Sequence, residues 1–225
     1  MADPRKEPEI LDTIRSKLDT ALVSDALDDL GAHEQVMRSN IRPVYDGATV
    51  LGYAYPAITV EMYEVGDEGY PGMPETVDSL KPNDVLVLGG HRPSHACIWG
   101  DLVSVAAKAR RANGAVIDGN TRDIHEIIKL QFPVFSSGIG IATPLGRARV
   151  SAHGCPVRCG GVLVNAGDIV FGDINGVVVI PRELVTEVIP LALKREKGEE
   201  TLRSKLLKGE LMRSAQPKDS DSRWL

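Results

Sequence analysis

Asp101, Arg122 and Asp123 are the residues whose types and spacing point to chemistry: a carboxylate, twenty residues, then an arginine followed by a second carboxylate. They punctuate WGDLVSVAAKARRANGAVIDGNTRDIHEI, residues 99–127, which reads as helix, strand, turn and helix with charges at the joints. Two carboxylates and an arginine beside two helix starts make an anion and metal site. Unpaired N–H groups and partial positive charge at a helix start suit a carboxylate near Gly100, Leu102 and Val103. An ionised Asp123 suits a hard cation such as Mg2+, which keeps several waters and uses one or two protein carboxylates. Arg122 stays charged and can fork onto an oxyanion. The same residues equally suit a structural part, since an acid in a helix's first turn stabilises it by about 0.3–1 kcal/mol and Arg–Asp neighbours often form a surface pair.

Elements placing these residues follow from periodicity. Residues 84–90, DVLVLGG, form an apolar run typical of a parallel strand covered on both faces. Leu102, Val105, Ala106 and Ala109 lie at helical spacing, with Gly114 as the stop before the strand AVID. A right-handed crossover would then bring both following loops to one sheet edge, so that Asp101 meets Arg122 and Asp123. The second helix is expected after Asn120 or Thr121, with Ile124, Ile127 and Ile128 turned inward.

Upstream, Ile10, Ile14 and Leu18 mark an amphipathic helix ending near Thr20, and Ser24 is expected to cap a short helix through Leu30. Residues 48–54 and 57–63 read as two strands parted by Pro56, and residues 65–82 as a surface excursion; Tyr63 and Tyr70 beside it can touch a ligand, with local packing as the favoured alternative. His91, Arg92 and His95 lie on a loop that can read an anionic substrate, with plain solvation of the two histidines as the commoner alternative. Beyond Phe132 come short strands: PVFSS, ARVSAH, PVRCGG, VLVNAGD, DIVFGD and GVVVIP. After Pro181 the chain is helical again, and Leu202, Leu206 and Leu207 offer a stripe that can lie across a neighbouring subunit. The tail from Ser214 is expected to be mobile.

A chain of 225 residues suits one large α/β domain, hiding roughly 70% of its unfolded surface. A net charge of -5 argues against nucleic acid as a partner. No apolar run reaches the ~20 residues of a membrane helix, and the N-terminal residues lack an export pattern, so a cytoplasmic location without membrane attachment is expected. Cys97, Cys155 and Cys159 form no disulfide framework by number, and His153 with Cys155 and Cys159 lacks the second half of a zinc site. The segment GIGIATPLG, residues 138–146, lacks the strand and helix that a nucleotide loop needs.

With SDALDDLG at 24–31, NDVLVLGG at 83–90, FPVFSSG at 132–138 and PVRCGGVLVNAGDIVFGDINGVVVIP at 156–181, the 100–127 segment resembles the RraA-like family. That family contains the regulator of ribonuclease activity A and the class II 4-hydroxy-4-methyl-2-oxoglutarate aldolases. Relatives often labelled menaquinone methyltransferase also belong to it, but no glycine-rich S-adenosylmethionine loop is evident in this sequence. The resemblance implies an α/β, three-layer β/β/α swivelling domain with a C-terminal helix. Segments of 1–19 (helical), 20–192 (RraA-like domain) and 193–225 (charged helix and tail) are expected. It also implies a homotrimer or hexamer with sites between subunits, and a metal-dependent lyase that cleaves or decarboxylates pyruvate-derived 2-keto acids such as 4-hydroxy-4-methyl-2-oxoglutarate or oxaloacetate.

By that resemblance Asp123 ligates Mg2+ or Mn2+, and Arg122 binds the keto oxygen of a small 2-keto acid. Asp101 positions a water for proton transfer, while the backbone around Gly100, Leu102 and Val103 holds the pyruvate carboxylate. GEETLRSKL resembles a family segment in which a carboxylate reaches a neighbour's site. Glu199 is the residue expected there, with Glu200 beside it and a plain surface role as the alternative. The chain after Gly209 departs from the family's aldolases. The alternative function is a non-catalytic, ribonuclease-regulator-like binding protein, against which the retained Asp101 argues.

Overall fold

A computed structural model describes residues 9–65, 69–90 and 96–215. His91, Arg92 and His95, and most of the tail expected to be mobile, lie outside the described residues. In chain order the elements are α1 (Glu9–Lys17), α2 (Thr20–Asp29), β1 (Arg42–Pro43), β2 (Val50–Glu61), α3 (Met73–Asp78), β3 (Asp84–Gly90), β4 (Cys97–Trp99), α4 (Asp101–Ala109) and β5 (Gly114–Thr121). There follow α5 (Ile124–Leu130), β6 (Val134–Ile139), β7 (Ala148–His153), β8 (Val157–Cys159), β9 (Val162–Val164), β10 (Ile169–Asp173), β11 (Gly176–Ile180), α6 (Val185–Leu207) and α7 (Met212–Ala215).

Strand alternation builds the layers. The main sheet runs β1-β6-β5-β3-β2-β10-β11, with β4 pairing β5 and β7 pairing β2. Val85, Val87, Val116, Phe135, Val170 and Val179 face one side, where they pack with Val157, Cys159, Val162 and Val164 of the β8–β9 ribbon. Residues one position away face the other side. Leu86, Leu88, Ile117 and Val134 join Ile127 and Ala107 in one cluster, while Tyr53, Ile169, Phe171 and Ile180 join Leu11, Ile14, Val188 and Ile189 in another. Ribbon, sheet and helices are therefore three layers, each β residue assigned by its parity. This is the mixed α/β architecture expected.

Several local readings change. Residues 48–63 hold one strand, not two, because the N–H that Pro56 lacks would point into the gap between β10, which pairs β2 up to Tyr53, and β7, whose pairing with β2 begins at Ala57. α2 starts four residues before Ser24: Asp19 caps it, its Oδ1 accepting from Leu22 N at 2.9 Å. Residues 65–82 contain α3, with Met73, Val77 and Leu80 buried, too short a helix to show a period. The stop of α4 comes at Arg110 and Arg111, the latter left-handed, and Gly114 instead opens β5.

Arg195 ties α6 to α2. Its guanidinium is nearly buried and donates to Asp29 Oδ2 at 2.7 and 3.0 Å and to Asp25 Oδ2 at 3.3 Å. Burial pushes the Asp25 carboxyl above its usual range, and the Arg195 charge opposes that rise. Arg195→Ala is expected to cost about 2 kcal/mol in a urea titration, the range for hydrogen bonds to charged groups, held down because both carboxylates keep contact with water.

Candidate active site

Where β3 peels away toward β2, β4 takes its place beside β5, so that Trp99 pairs with Thr121. Arg122 N donates to Trp99 O at 3.1 Å, which stitches the start of α4 to the end of β5. Trp99 is buried, stacks on Phe132 and donates from Nε1 to Ser104 Oγ at 2.8 Å, and Ser104 Oγ donates in turn to Gly100 O. The first turn of α4 is thereby held from inside.

This arrangement reverses the expected face of α4 and narrows that of α5, where Ile127 points inward as expected but Ile128 does not. Ser104 and Ala107 are buried, whereas Leu102 is 77% and Val105 50% exposed; on α5 Ile127 alone is buried. The apolar stripe of α4 points away from its own core because Ser104, satisfied by Trp99, occupies the inner position.

Asp123 sits between β5 and α5 in the left-handed region, φ 61° and ψ 37°, which an Asp tolerates better than most side chains. Its Oδ2 lies 3.2 Å from Arg122 Nε and accepts from Asp101 N at 3.4 Å. Both contacts fall on Oδ2, so Oδ1 carries neither. Gly100 approaches closely enough that an added Cβ would stand 2.7 Å from Asp123 Oδ2. No side chain caps α4, and the N–H groups of Leu102 and Val103 lie in its first turn, where they have no intrahelical acceptor.

Gly100, Asp101, Leu102, Val103, Arg122 and Asp123 all line one cleft of about 410 Å3. Of the residues singled out by sequence, these come together. Glu199 does not join them: it lies on α6 in a separate depression with Arg15 and Asp19, its Oε2 3.7 Å from the Arg203 guanidinium. The remaining walls include Tyr70, Cys97, Trp99, Thr143, Pro144 and Leu145. Sequence reasoning offered Tyr70 as a candidate ligand contact and placed Cys97 and Trp99 on a loop facing the substrate, but assigned no part to Thr143, Pro144 or Leu145. Tyr70 arrives through the connection before α3. Residues 143–145 come from the β6–β7 connection, which is tied down by Cys97 N to Ala142 O at 2.8 Å and Gly140 N to Thr121 O at 3.0 Å. Burial pushes the Cys97 thiol up despite Arg122 nearby, which makes it a poor nucleophile.

Asp101 and Asp123 offer hard oxygen donors, and no group of three or more His, Cys, Asp or Glu able to hold a metal occurs among the described residues. That donor set fits Mg2+ or Mn2+ held largely by water and ligand oxygens, with Asp123 Oδ1 as the protein donor, and does not fit an all-protein zinc cage.

A family model described as RraA-like, Aldolase/RraA, matches residues 20–179. A "Putative 4-hydroxy-4-methyl-2-oxoglutarate aldolase" of Halalkalibacterium halodurans is 34% identical over 185 residues, 80% of this chain and 81% of the relative. Protein DlpA of Legionella pneumophila subsp. pneumophila is 29% identical over 198 residues, 87% of this chain, which spans only 31% of that longer protein. Among solved structures, Streptomyces coelicolor RraAS2, described as an unusual member of the RNase ES inhibitor RraA protein family, superposes with a TM-score of 0.79. The match covers 88% of this chain and 98% of that one at 24% identity, a likeness of fold. From a model match spanning most of the chain and a relative aligned over four-fifths of both lengths, the chain belongs to the RraA-like family.

Proposed function

We propose that this chain is a divalent-metal-dependent lyase that cleaves carbon–carbon bonds in pyruvate-derived 2-keto acids. 4-Hydroxy-4-methyl-2-oxoglutarate and oxaloacetate are the substrates to try first. The observation that carries this reading is the meeting, in one cleft, of the uncapped start of α4 with Arg122 and Asp123. The aldolase name of the Halalkalibacterium halodurans relative supports it.

In this reading the pyruvate carboxylate takes the N–H groups of Leu102 and Val103, where the helix adds partial positive charge. Arg122 faces the keto oxygen. When the C3–C4 bond of the 4-hydroxy substrate breaks, its electron pair moves toward the keto group, and the Arg122 guanidinium stabilises the negative charge that gathers on that oxygen. The proton of the C4 hydroxyl leaves through a water held by Asp101, and C4 becomes a carbonyl carbon. Return of a proton to C3 completes pyruvate. In decarboxylation the same electron pair comes from the bond to the departing CO2. A bound Mg2+ or Mn2+ at Asp123 supplies further positive charge at the keto oxygen.

The exposed Leu102 and Val105 beside the cleft suit a neighbouring subunit, which supports assembly as a homotrimer or hexamer. Glu199, outside its own chain's cleft, is then available to a neighbour's site.

The test is a screen for pyruvate release from 4-hydroxy-4-methyl-2-oxoglutarate and oxaloacetate, with and without Mg2+ or Mn2+. Failure with both substrates in a protein shown to bind metal removes this reading. Tight capture of a ribonuclease without lyase activity replaces it with the regulator alternative. Gly100→Ala probes the cleft's geometry. Its φ of -165° leaves the backbone unstrained, so the added methyl acts only by pushing the Asp123 carboxylate aside. The expected result is roughly a tenfold or greater loss in kcat/KM, as for a misplacement of about 1 Å, with Tm nearly unchanged.

A further inference from the structure

Among the described residues that wall the cleft, Tyr70 is the one whose side-chain oxygen is buried without a partner. Its hydroxyl is buried and has no hydrogen-bond partner among the described residues, although Tyr70 lines the same cleft as Arg122 and Asp123. Leaving a buried hydroxyl unmatched costs about 1–3 kcal/mol, a penalty that Phe at this position would avoid.

The segment bearing it is held in place. Val150 N on β7 donates to Pro71 O at 2.9 Å, and Met73 N donates to Tyr70 O at 3.3 Å. Gly72 follows in the left-handed region, φ 78°, packed so closely that a Cβ would stand 2.3 Å from Val150 O. Tyr70 is thus presented by a fixed backbone that admits only glycine two positions on. Burial pushes its phenol above its usual range, so the hydroxyl stays protonated and available as a donor.

The α4 N–H groups and Arg122 are accounted for by the carboxylate and keto oxygen of a pyruvate unit. Tyr70 and Thr143 line the same cleft from two other connections. We propose that Tyr70 is a specificity-determining residue, its hydroxyl donating a hydrogen bond to an oxygen on the portion of the ligand beyond the pyruvate unit. The proposal rests on the 2-keto acid reading of the cleft and extends it: the site prefers longer, oxygenated 2-keto acids over pyruvate itself, because only they give this hydroxyl a partner.

Calorimetric titration of the full chain in Mg2+ with two uncleaved probes, pyruvate and 2-oxoglutarate, tests it. Wild type is expected to bind both, 2-oxoglutarate more tightly. Tyr70→Phe is expected to weaken 2-oxoglutarate by about tenfold, the worth of one neutral hydrogen bond, while pyruvate changes less than about twofold. Tm should hold or rise, since an unmatched hydroxyl has been removed. A merely structural Tyr70 moves both ligands together or neither, and either pattern overturns the proposal, as does wild type that binds pyruvate but not 2-oxoglutarate. Wild type binding neither probe removes the 2-keto acid reading together with this extension of it.

Discussion

Arg122→Ala is expected to lower kcat/KM for pyruvate release by roughly 100-fold, most of it in kcat, while leaving Tm within a degree or two of wild type. The catalytic loss follows from the part assigned to the guanidinium. An oxyanion donor acts where charge develops during bond cleavage, and removing one costs about 3 kcal/mol of transition-state stabilisation. The small stability effect follows from what the side chain does in the fold. Its ion pair with Asp123 is 3.2 Å long and both groups keep partial contact with water, so the pair adds little to folding. The contact that joins β5 to α4 is made by the Arg122 backbone N–H to Trp99 O and survives any side chain except proline. Arg122→Lys keeps the charge and loses the fork, and should recover only part of the rate. Unchanged turnover in the alanine variant would remove Arg122 from the chemistry and leave it as a partner of Asp123.

Much of this site is legible in sequence because its charges sit at joints between apolar elements. DVLVLGG and AVID are buried runs flanked by glycine, and their parallel pairing follows from the helix between them, which brings Asp101 within reach of Arg122 and Asp123. The strands after Phe132 are equally readable: β6, β10 and β11 alternate between the ribbon side and the helix side, while β7, β8 and β9 alternate between core and solvent. What sequence conceals depends on neighbours distant in the chain. The periodicity of α4 is plain, but the choice of inner face is set by Ser104, which a hydroxyl-blind pattern places outside and Trp99 draws in. Pro56 looks like a break until the exchange of partners from β10 to β7 shows that no donor is needed there. Tyr70 and residues 143–145 carry no motif. They reach the cleft because the connections before α3 and after β6 fold over the β4–β5 edge, and only tertiary hydrogen bonds such as Val150 N to Pro71 O decide that path. Glu199 marks the reverse case: its family resemblance is readable, yet its own chain keeps it outside the cleft, so its part depends on a second subunit.

Asp123→Asn carries the second large effect, because it separates metal binding from backbone shape. Alanine would confound the two, since position 123 is left-handed at φ 61° and an alanine there adds conformational strain. Asparagine tolerates that conformation and keeps an oxygen of similar size, but gives up the formal charge that a hard cation seeks. Calorimetric titration with Mg2+ is expected to show affinity falling by roughly 100-fold, at or above the upper end of the 10–100-fold typical for an outer-sphere partner. Pyruvate release should fall in parallel at fixed Mg2+ and be partly restored by raising the Mg2+ concentration, a rescue that a change in protein shape would not show. Loss of the carboxylate also frees Arg122 from its 3.2 Å partner, so binding of pyruvate without metal should be kept or strengthened in this variant. Weakened Mg2+ binding with intact pyruvate binding therefore identifies Asp123 as the cation's ligand, whereas unchanged Mg2+ affinity with lost activity would assign it to holding Arg122 and the start of α4.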